Sequence, residues 1–377
     1  MKFLTTLSIL IISVIFLHAQ TSLDKSLEHN QINRTYSIYI PATYDGIEAV
    51  PLVFNLHGYT SNSAQQELYT NFKPIADTAN FILVHPNGTS ESGAQFWNVG
   101  FFPSNVDDVG FLETLIDTIS ENYNIDLDRV FSTGMSNGGF MSYLLACESD
   151  RFTAVASVTG SMTQLNYDNC NTVKPIPAMQ IHGTNDPTVP YEGTQQFLHV
   201  DSVVSFWVNH NNCDDEPVII DIDNISPNDG TNTIHYTYSG GDEGSSVELY
   251  KVINGGHTWP GAPFSIGPTS QDFNASKVIW EFFSKYPKTV SSTNTISNQS
   301  KDLQINVFPN PAREILNIEK KNDSQAYAQI FNAKGQKVTE TFFEYSTQLD
   351  ISKLPEGIYM LLIQSDEIVI SKKILVQ

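Results

Sequence analysis

The sequence predicts an α/β protein, a mostly parallel sheet with helices on both faces, followed by a small all-β sandwich. Three observations carry that prediction. Apolar runs alternate with helical periodicity from Leu52 to Lys285, a polar stretch without periodicity fills 288–303, and only short strands follow it.

Leu52–Leu56 reads as a buried strand, 64–79 as a helix and 81–85 as the next strand. The segment 109–123 is helical because Leu112, Leu115, Ile116 and Ile119 recur on one face of a 3.6-residue period. Asp107 and Asp108 in front of it supply a cap and a first-turn charge. Arg129–Thr133 is a strand that runs through a tight turn into a helix at Phe140–Ala146. Pro177–Gly183 and Val247–Ile253 are strands ending in polar turns, and a last helix falls near 273–285. The stretches 86–106, 159–176 and 223–246 read as loops. Past the linker, strands are expected at 304–308, 314–319, 326–331, 336–342, 348–351, 357–364 and 367–376, the pattern of a β-sandwich. Phe342, Phe343 and Tyr345 read there as core and edge residues.

Met1-Lys2 is followed by an apolar segment from Phe3 to Leu17 and then His18-Ala19-Gln20. That is the pattern of a signal peptide, since a membrane span needs about 20 apolar residues. The expected plan is a leader at 1–20, a catalytic domain at 21–287, a linker at 288–303 and the sandwich at 304–377, with no transmembrane segment after the leader is cut. With 41 acidic against 20 basic residues the formal charge is −21, which argues against nucleic acid or an anionic membrane as partner. Three cysteines allow one disulfide and one spare thiol. Cys147, at the end of the helix behind the tight turn, is paired with Cys170 in a nearby loop, and Cys213 is expected to be free.

The chemistry centres on Gly134-Met135-Ser136-Asn137-Gly138-Gly139. A serine hydroxyl is a poor nucleophile unless it stands clear at a sharp strand-to-helix turn, next to a base and near backbone N–H groups. Gly134 and Gly138 suit such an elbow because a Cβ on either would keep strand and helix apart. An elbow of this kind belongs to the α/β-hydrolase fold, which requires an acid and then a histidine after later strands. Asp186 is the single carboxylate in the turn Thr184–Pro190, and His257 sits at the tip of Asn254-Gly255-Gly256-His257. For the oxyanion, the donors are the N–H of Asn137 and a backbone N–H at Tyr59 in the exit of the first strand, His57-Gly58-Tyr59-Thr60. Trp259 and Trp97 are expected to wall the acyl or alcohol pocket. Of the other histidines, His57, His85 and His182 position loops, while His199, His210 and His235 are solvated. There is no H-E-x-x-H and no paired Cys and His spacing, so neither metal nor cofactor is expected.

The blocks L-H-G near residue 57, V-D-D-V-G-F-L at 106–112, R-V-F-S-T-G-M-S-N-G-G at 129–139, H-G-T-N-D-P-T-V-P-Y at 182–191 and G-G-H-T-W-P-G at 255–261 occur in that order. Together they resemble the polyhydroxybutyrate depolymerase and feruloyl or acetyl-xylan esterase group of α/β-hydrolases, over roughly 30–286. The resemblance implies Ser136 as nucleophile, Asp186 as acid and His257 as base. It departs at Cys213, since relatives often carry a second cysteine pair and none is available here before Val247. The tail blocks V-F-P-N-P-A at 307–312, I-F-N-A-K-G-Q at 330–336, L-P-E-G-I-Y at 354–359 and the closing K-K-I-L-V-Q resemble the C-terminal sorting domain of type IX secretion. That implies export across a Gram-negative outer membrane by the type IX machinery, to the medium or the cell surface. A carbohydrate-binding module fits the tail less well, because few of its aromatics look free to stack on sugars.

The expected function is a secreted serine ester hydrolase, working through an acyl-enzyme on polysaccharide-linked feruloyl or acetyl esters or on hydroxyalkanoate polyesters. The alternatives are a serine peptidase on the same fold and a surface-displayed binding protein that has lost catalysis.

Overall fold

A computed structural model describes residues 20–91, 93–102, 104–286, 305–320, 326–332, 337–365 and 368–376. The expected leader, apart from Gln20, and the expected linker lie outside the described residues. The chain divides into two compact units, Met1–Lys288 and Thr289–Gln377.

The first unit opens with strands β1 (Thr21–His29) and β2 (Ile32–Ile40), followed by β3 (Val50–Leu56), α1 (Ser63–Thr70), α2 (Lys73–Ala79) and β4 (Ile82–Pro86). A short hairpin of β5 (Thr89–Glu91) and β6 (Ala94–Phe96) precedes α3 (Asp108–Ser120), β7 (Ile125–Met135), α4 (Asn137–Glu148), β8 (Ala154–Val158) and α5 (Gln164–Asn169). Then come β9 (Ala178–Gly183), α6 (Val200–His210), β10 (Val218–Ile222), β11 (Asn232–Tyr238), β12 (Val247–Ile253) and α7 (Ala275–Phe283).

Ten of these strands form one sheet in the order β1-β2-β4-β3-β7-β8-β9-β12-β11-β10. Its six central strands, from β4 to β12, are mutually parallel, and the two flanking pairs run antiparallel. Strands buried on both faces read as continuous apolar runs, and β3, β4, β8 and β9 are buried at every position. Their side chains still alternate. Leu52, Phe54 and Leu56 meet Phe111, Leu115 and Ile119 of α3 and Phe140 and Leu144 of α4. Val53, Leu83 and Phe131 point the other way, into a cluster with Ala76 of α2 and Ile279, Phe282 and Phe283 of α7. A third cluster packs Val203, Val204 and Trp207 of α6 against Tyr143, Ala178 and Leu249.

The structure differs from the sequence expectations at several points: the stretches 86–106 and 159–176, expected to be loops, hold the β5–β6 hairpin and α5. The helix expected at 64–79 is two helices, because Asn71 adopts a left-handed conformation (φ 50°) that caps α1, and Pro74 starts α2 where its missing N–H costs nothing. The stretch 223–246, expected to be loop, contains β11, whose side chains are mostly half-buried and so lack a clean apolar signal. The β1–β2 hairpin turns on Asn30 and Gln31, both at positive φ, without the Asn-Gly pair that would announce it.

The second unit consists of β13 (Ile305–Phe308), β14 (Ile315–Lys320), β15 (Ala326–Phe331), β16 (Lys337–Phe343), β17 (Ser346–Asp350), β18 (Gly357–Ser365) and β19 (Ile368–Val376). They form two antiparallel sheets, β13-β14-β17 and β16-β15-β18-β19. Alternate residues such as Leu316 and Ile318, or Ala328 and Ile330, turn inward to a shared core. The same alternation buries Phe343 and exposes Phe342, which stacks on Tyr327 with ring centroids 4.2 Å apart. Tyr345 is also exposed, so it and Phe342 are surface residues, not core.

Candidate active site

Ser136 stands between the end of β7 and the first residue of α4, at φ 55° and ψ −121°. A side-chain-bearing residue in that region carries strain of order 1–3 kcal/mol, held in place by its surroundings. The constraint is visible in the two flanking glycines. A Cβ on Gly138 would lie 2.2 Å from the Leu56 carbonyl oxygen, and one on Gly134 would lie 2.6 Å from the Gly138 carbonyl carbon. Ser136 donates its N–H to the Val158 carbonyl at 2.8 Å. It occupies the N-cap position of α4, where serine normally spends its hydroxyl on a backbone N–H, but here the side chain makes no cap bond. The helix behind it is buried on all sides from Asn137 to Ala146. Its far end is tied by a disulfide between Cys147 and Cys170, and Cys213 is a buried free thiol.

Asp186 leaves the end of β9 and His257 the end of β12, which are parallel neighbours. Their exit loops are laced together. Thr184 N–H donates to the Val252 carbonyl at 2.9 Å, Asn185 N–H to the Gly255 carbonyl at 2.9 Å, and Asn254 N–H to Thr184 Oγ1 at 2.9 Å. Asp186 Oδ1 accepts the N–H groups of Thr188 (2.8 Å) and Val189 (2.9 Å), which leaves Oδ2 for His257 Nδ1 at 2.7 Å. The Asp186 side chain is fully buried, whereas His257 is partly open to the same cleft that Ser136 lines. With Nδ1 donating to the carboxylate, the other ring nitrogen is left to accept a proton.

Tyr59 lies in a turn closed by Ser61 N–H on the Gly58 carbonyl at 3.1 Å, with Thr60 at φ 63°. Positive φ at the third residue defines a type II turn, and threonine is a strained choice there. A Cβ on Gly58 would come 3.5 Å from Ser136 Cβ, so this backbone runs beside the elbow. Among the described residues neither the Tyr59 N–H nor the Asn137 N–H has a loop or side-chain partner. The Asn137 side chain is fully engaged: its Oδ1 accepts Trp97 N–H at 2.6 Å and its Nδ2 donates to the Trp97 carbonyl at 3.1 Å.

The two tryptophans are not pocket walls. Trp97 is completely buried, its Nε1 donating to the His57 carbonyl at 3.0 Å, and so packs beneath the turn that carries Tyr59. Trp259 is buried too, with Nε1 donating to Ser276 Oγ at 3.0 Å and its ring edge-on to Phe72. Each indole N–H has found a partner inside the protein, which turns its ring away from the cleft.

The cleft has a volume of about 410 Å³. One side is Tyr59, packed on Phe96 and Phe102 with ring centroids 5.8 and 5.9 Å away. The opposite side is Leu68 and Tyr69 of α1 with Phe264 and Ile266 of the loop after His257; the Tyr69 and Phe264 rings are 5.1 Å apart. Leu68 and Ile266 are 66% and 60% exposed. These four residues were missed in the sequence. A signal existed: Phe264 and Ile266 are large apolar residues in the Gly- and Pro-rich stretch Gly261–Pro268, where no helix or strand could bury them. Beneath α1, Asn55 donates to Thr70 Oγ1 (2.7 Å) and accepts from Gln66 Nε2 (2.8 Å), anchoring this wall to β3.

His57 Nδ1 donates to the Gly58 carbonyl at 2.7 Å while Nε2 accepts Gly88 N–H at 2.9 Å, so it clamps the turn that carries Tyr59. Burial pushes it down from 6.5 to about 4; the Gly58 bond partly opposes that and Arg34 adds to it. His85 is pushed down to about 3, chiefly by burial and further by Lys73. The three histidines expected to be solvated have partners. His199 caps α6 through Asp201 N–H, His210 bonds the Lys174 carbonyl at 2.8 Å, and His235 pairs with Glu248 at 2.8 Å. Asp107 caps α3 and Asp108 is the acidic residue of its first turn, as expected; Asp108 is also buried as the ion-pair partner of Arg34 at 2.6 Å. Among the described residues no group of three or more His, Cys, Asp or Glu is placed to hold a metal.

The profile of the Secretion system C-terminal sorting domain matches residues 306–377, and that of the prolyl oligopeptidase family matches 67–176, a stretch that includes the elbow. Over 261 residues the chain is 30% identical to a probable feruloyl esterase C of Aspergillus niger, covering 67% of this chain and 85% of that protein. It is 26% identical over 238 residues to a bifunctional acetylxylan esterase/xylanase of Neocallimastix patriciarum, covering 63% of this chain and 31% of that protein. Among solved structures, an acetyl xylan esterase from Aspergillus awamori superposes with a TM-score of 0.51 at 16% identity, covering 70% of this chain and 99% of that one, a likeness of fold.

Proposed function

Since the chain belongs to the feruloyl esterase family, a group of carboxylic-ester hydrolases, we propose that it cleaves polysaccharide-linked feruloyl or acetyl esters through an acyl-enzyme on Ser136. His257 takes the proton from Ser136 as the hydroxyl attacks the ester carbonyl. Asp186 holds the imidazole by its Nδ1–H and stabilises the imidazolium. The N–H groups of Asn137 and Tyr59 receive the oxyanion, each worth about 3 kcal/mol in the transition state. The imidazolium gives its proton to the leaving alcohol as the ester C–O bond breaks, and water repeats the sequence on the acyl-enzyme to release the acid, with no metal or cofactor in either half.

The single observation that carries this reading is the 2.7 Å Asp186–His257 pair opening onto the same cleft as a serine hydroxyl that caps nothing. The cleft favours an aromatic over an acetyl acyl group. Its walls include Tyr59, Leu68, Tyr69, Phe264 and Ile266 beside Ser61, Gln65 and Gln66, and among the described residues His257 and the two tyrosines are its ionisable side chains. A panel of methyl ferulate, acetylated xylan, poly(3-hydroxybutyrate) and tributyrin tests the substrate class, with methyl ferulate expected to lead. Activity on none of them, or undiminished activity in Ser136→Ala, sinks the proposal.

The prolyl oligopeptidase match to 67–176 favours a peptidase as the second reading. Turnover of peptide anilides in place of p-nitrophenyl esters selects it. Covalent labelling by a fluorophosphonate, lost in Ser136→Ala, separates both from a protein without catalysis.

The C-terminal unit carries the sorting-domain match, and we assign it to export by type IX secretion, after removal of the leader at 1–20. Deleting 306–377 is expected to leave active enzyme inside the cell envelope. Limited proteolysis is expected to cut within 288–303 and release an active catalytic domain, 21–287, from the sandwich at 304–377.

A further inference from the structure

The geometry points to a second histidine, His182, as the positioning residue that holds the carboxylate of Asp186 in register with His257, an inference that rests on the triad reading above. His182 is on β9, four residues before Asp186, and both side chains are fully shut off from solvent. Its ring sits between two fixed groups. Nδ1 is 2.9 Å from Gln180 Nε2, and Nε2 is 2.8 Å from the Val189 carbonyl and 3.5 Å from Asp186 Oδ2.

The tautomer follows from the neighbours. Gln180 Oε1 accepts the Tyr143 hydroxyl at 2.7 Å, and its amide nitrogen also donates to the Gly160 carbonyl at 2.9 Å. An amide nitrogen only donates, so His182 Nδ1 accepts and the ring proton is on Nε2. That proton goes to the Val189 carbonyl. Val189 returns its own N–H to Asp186 Oδ1 at 2.9 Å, so the backbone of Val189 bonds both side chains. The N–H edge of His182 therefore also faces Oδ2, the oxygen that accepts from His257. A carboxylate with one oxygen tied to two backbone N–H groups and the other flanked by two imidazoles has one orientation left. Burial keeps His182 below its ordinary value, consistent with a neutral ring that donates once.

A residue that only fills space would be replaced by a side chain of similar bulk, whereas a positioning donor needs its N–H. The test uses the full chain with His182→Leu and His182→Gln, whose amide nitrogen reaches about where Nε2 stands. In His182→Leu, kcat is expected to fall about 10²-fold, since small misplacements of catalytic groups cost on that order. KM should hold within about twofold, because the ester contacts are untouched. The far-downfield proton NMR signal of the His257–Asp186 hydrogen bond should vanish, and His182→Gln should restore both signal and rate to within roughly tenfold of the parent. Equal losses in the two variants, or an unchanged kcat and signal in His182→Leu, overturn the inference. If His182→Leu does not fold, ¹⁵N NMR of the unmodified protein decides: a proton on Nδ1 overturns it and one on Nε2 upholds it. Ser136→Ala, run alongside, separates this failure from failure of the triad itself, since only the latter leaves that variant active.

Discussion

The centre and the flanks of the ten-stranded sheet differ in almost every respect that bears on function. The six parallel strands are largely buried on both faces, and the loops at their carboxyl ends bring Ser136, His257 and the Tyr59 turn to one cleft, with Asp186 buried behind His257. The flanking strands are antiparallel and, apart from the inner face of β2, wetter. β1 is exposed along most of its length, and β10 shows Val218, Ile219 and Ile220 to solvent. None of the flank strands reaches the cleft. The centre supplies rigidity at the point of chemistry, and the flanks close a parallel core whose edges would otherwise stand open.

That contrast can be broken or sharpened by measurement. Ser136→Ala, at the heart of the centre, is expected to lower kcat roughly a millionfold while leaving the thermal midpoint near that of the parent. A modest loss would put the chemistry elsewhere.

Acid comes next, because the centre buries His57, His85 and His182 in neutral form. All three have folded-state values below the ordinary 6.5, so in the window beneath it the unfolded chain binds more protons than the folded one. Stability is therefore complete above about pH 6.5 and falls with pH by about 1.4 kcal/mol per unit for each histidine. For His57 the loss continues to about pH 4 and for His85 to about pH 3. Urea unfolding at pH 7.5, 6.5 and 5.5 checks this, and a flat profile contradicts the assignment.

Smaller again is the disulfide behind the elbow. It spans 23 residues, and replacing Cys147 and Cys170 by serine is expected to cost about 3 kcal/mol in the same assay. Smallest is the flank itself: Ile220→Thr on β10 should change stability by less than about 0.5 kcal/mol. A loss above about 1 kcal/mol would mean that this edge is covered in solution.

The same contrast explains what could be read from the chain. Central strands are apolar runs ending in residue types that acyl chemistry requires, and an elbow needs glycines where Gly134 and Gly138 stand, so these positions announce themselves. Flank strands carry mixed, half-wet side chains, and β11 accordingly read as loop. The break in the helix at Asn71 was hidden because asparagine is tolerated both in a helix and in the left-handed cap that ends it. Trp97 and Trp259 misled for another reason. Sequence spacing locates a backbone near the site but does not say to which side its ring turns, and that was set by distant acceptors, the His57 carbonyl and Ser276. His182 was read as a loop-positioning residue, but its link to Asp186 needs the Gln180 and Val189 partners, which only the fold brings together.

One wall of the cleft is made from parts that the chemistry does not share. Leu68 hangs from α1, and Phe264 and Ile266 from the loop after His257, while the groups that seat the end of α1, Asn55, Thr70 and Ser276, lie buried underneath. Exchanges at these three positions are therefore expected to alter which acyl group fits without moving Ser136, Asp186 or His257. In the proposed reading, the rim that chooses the substrate and the residues that act on it can then be altered independently of each other.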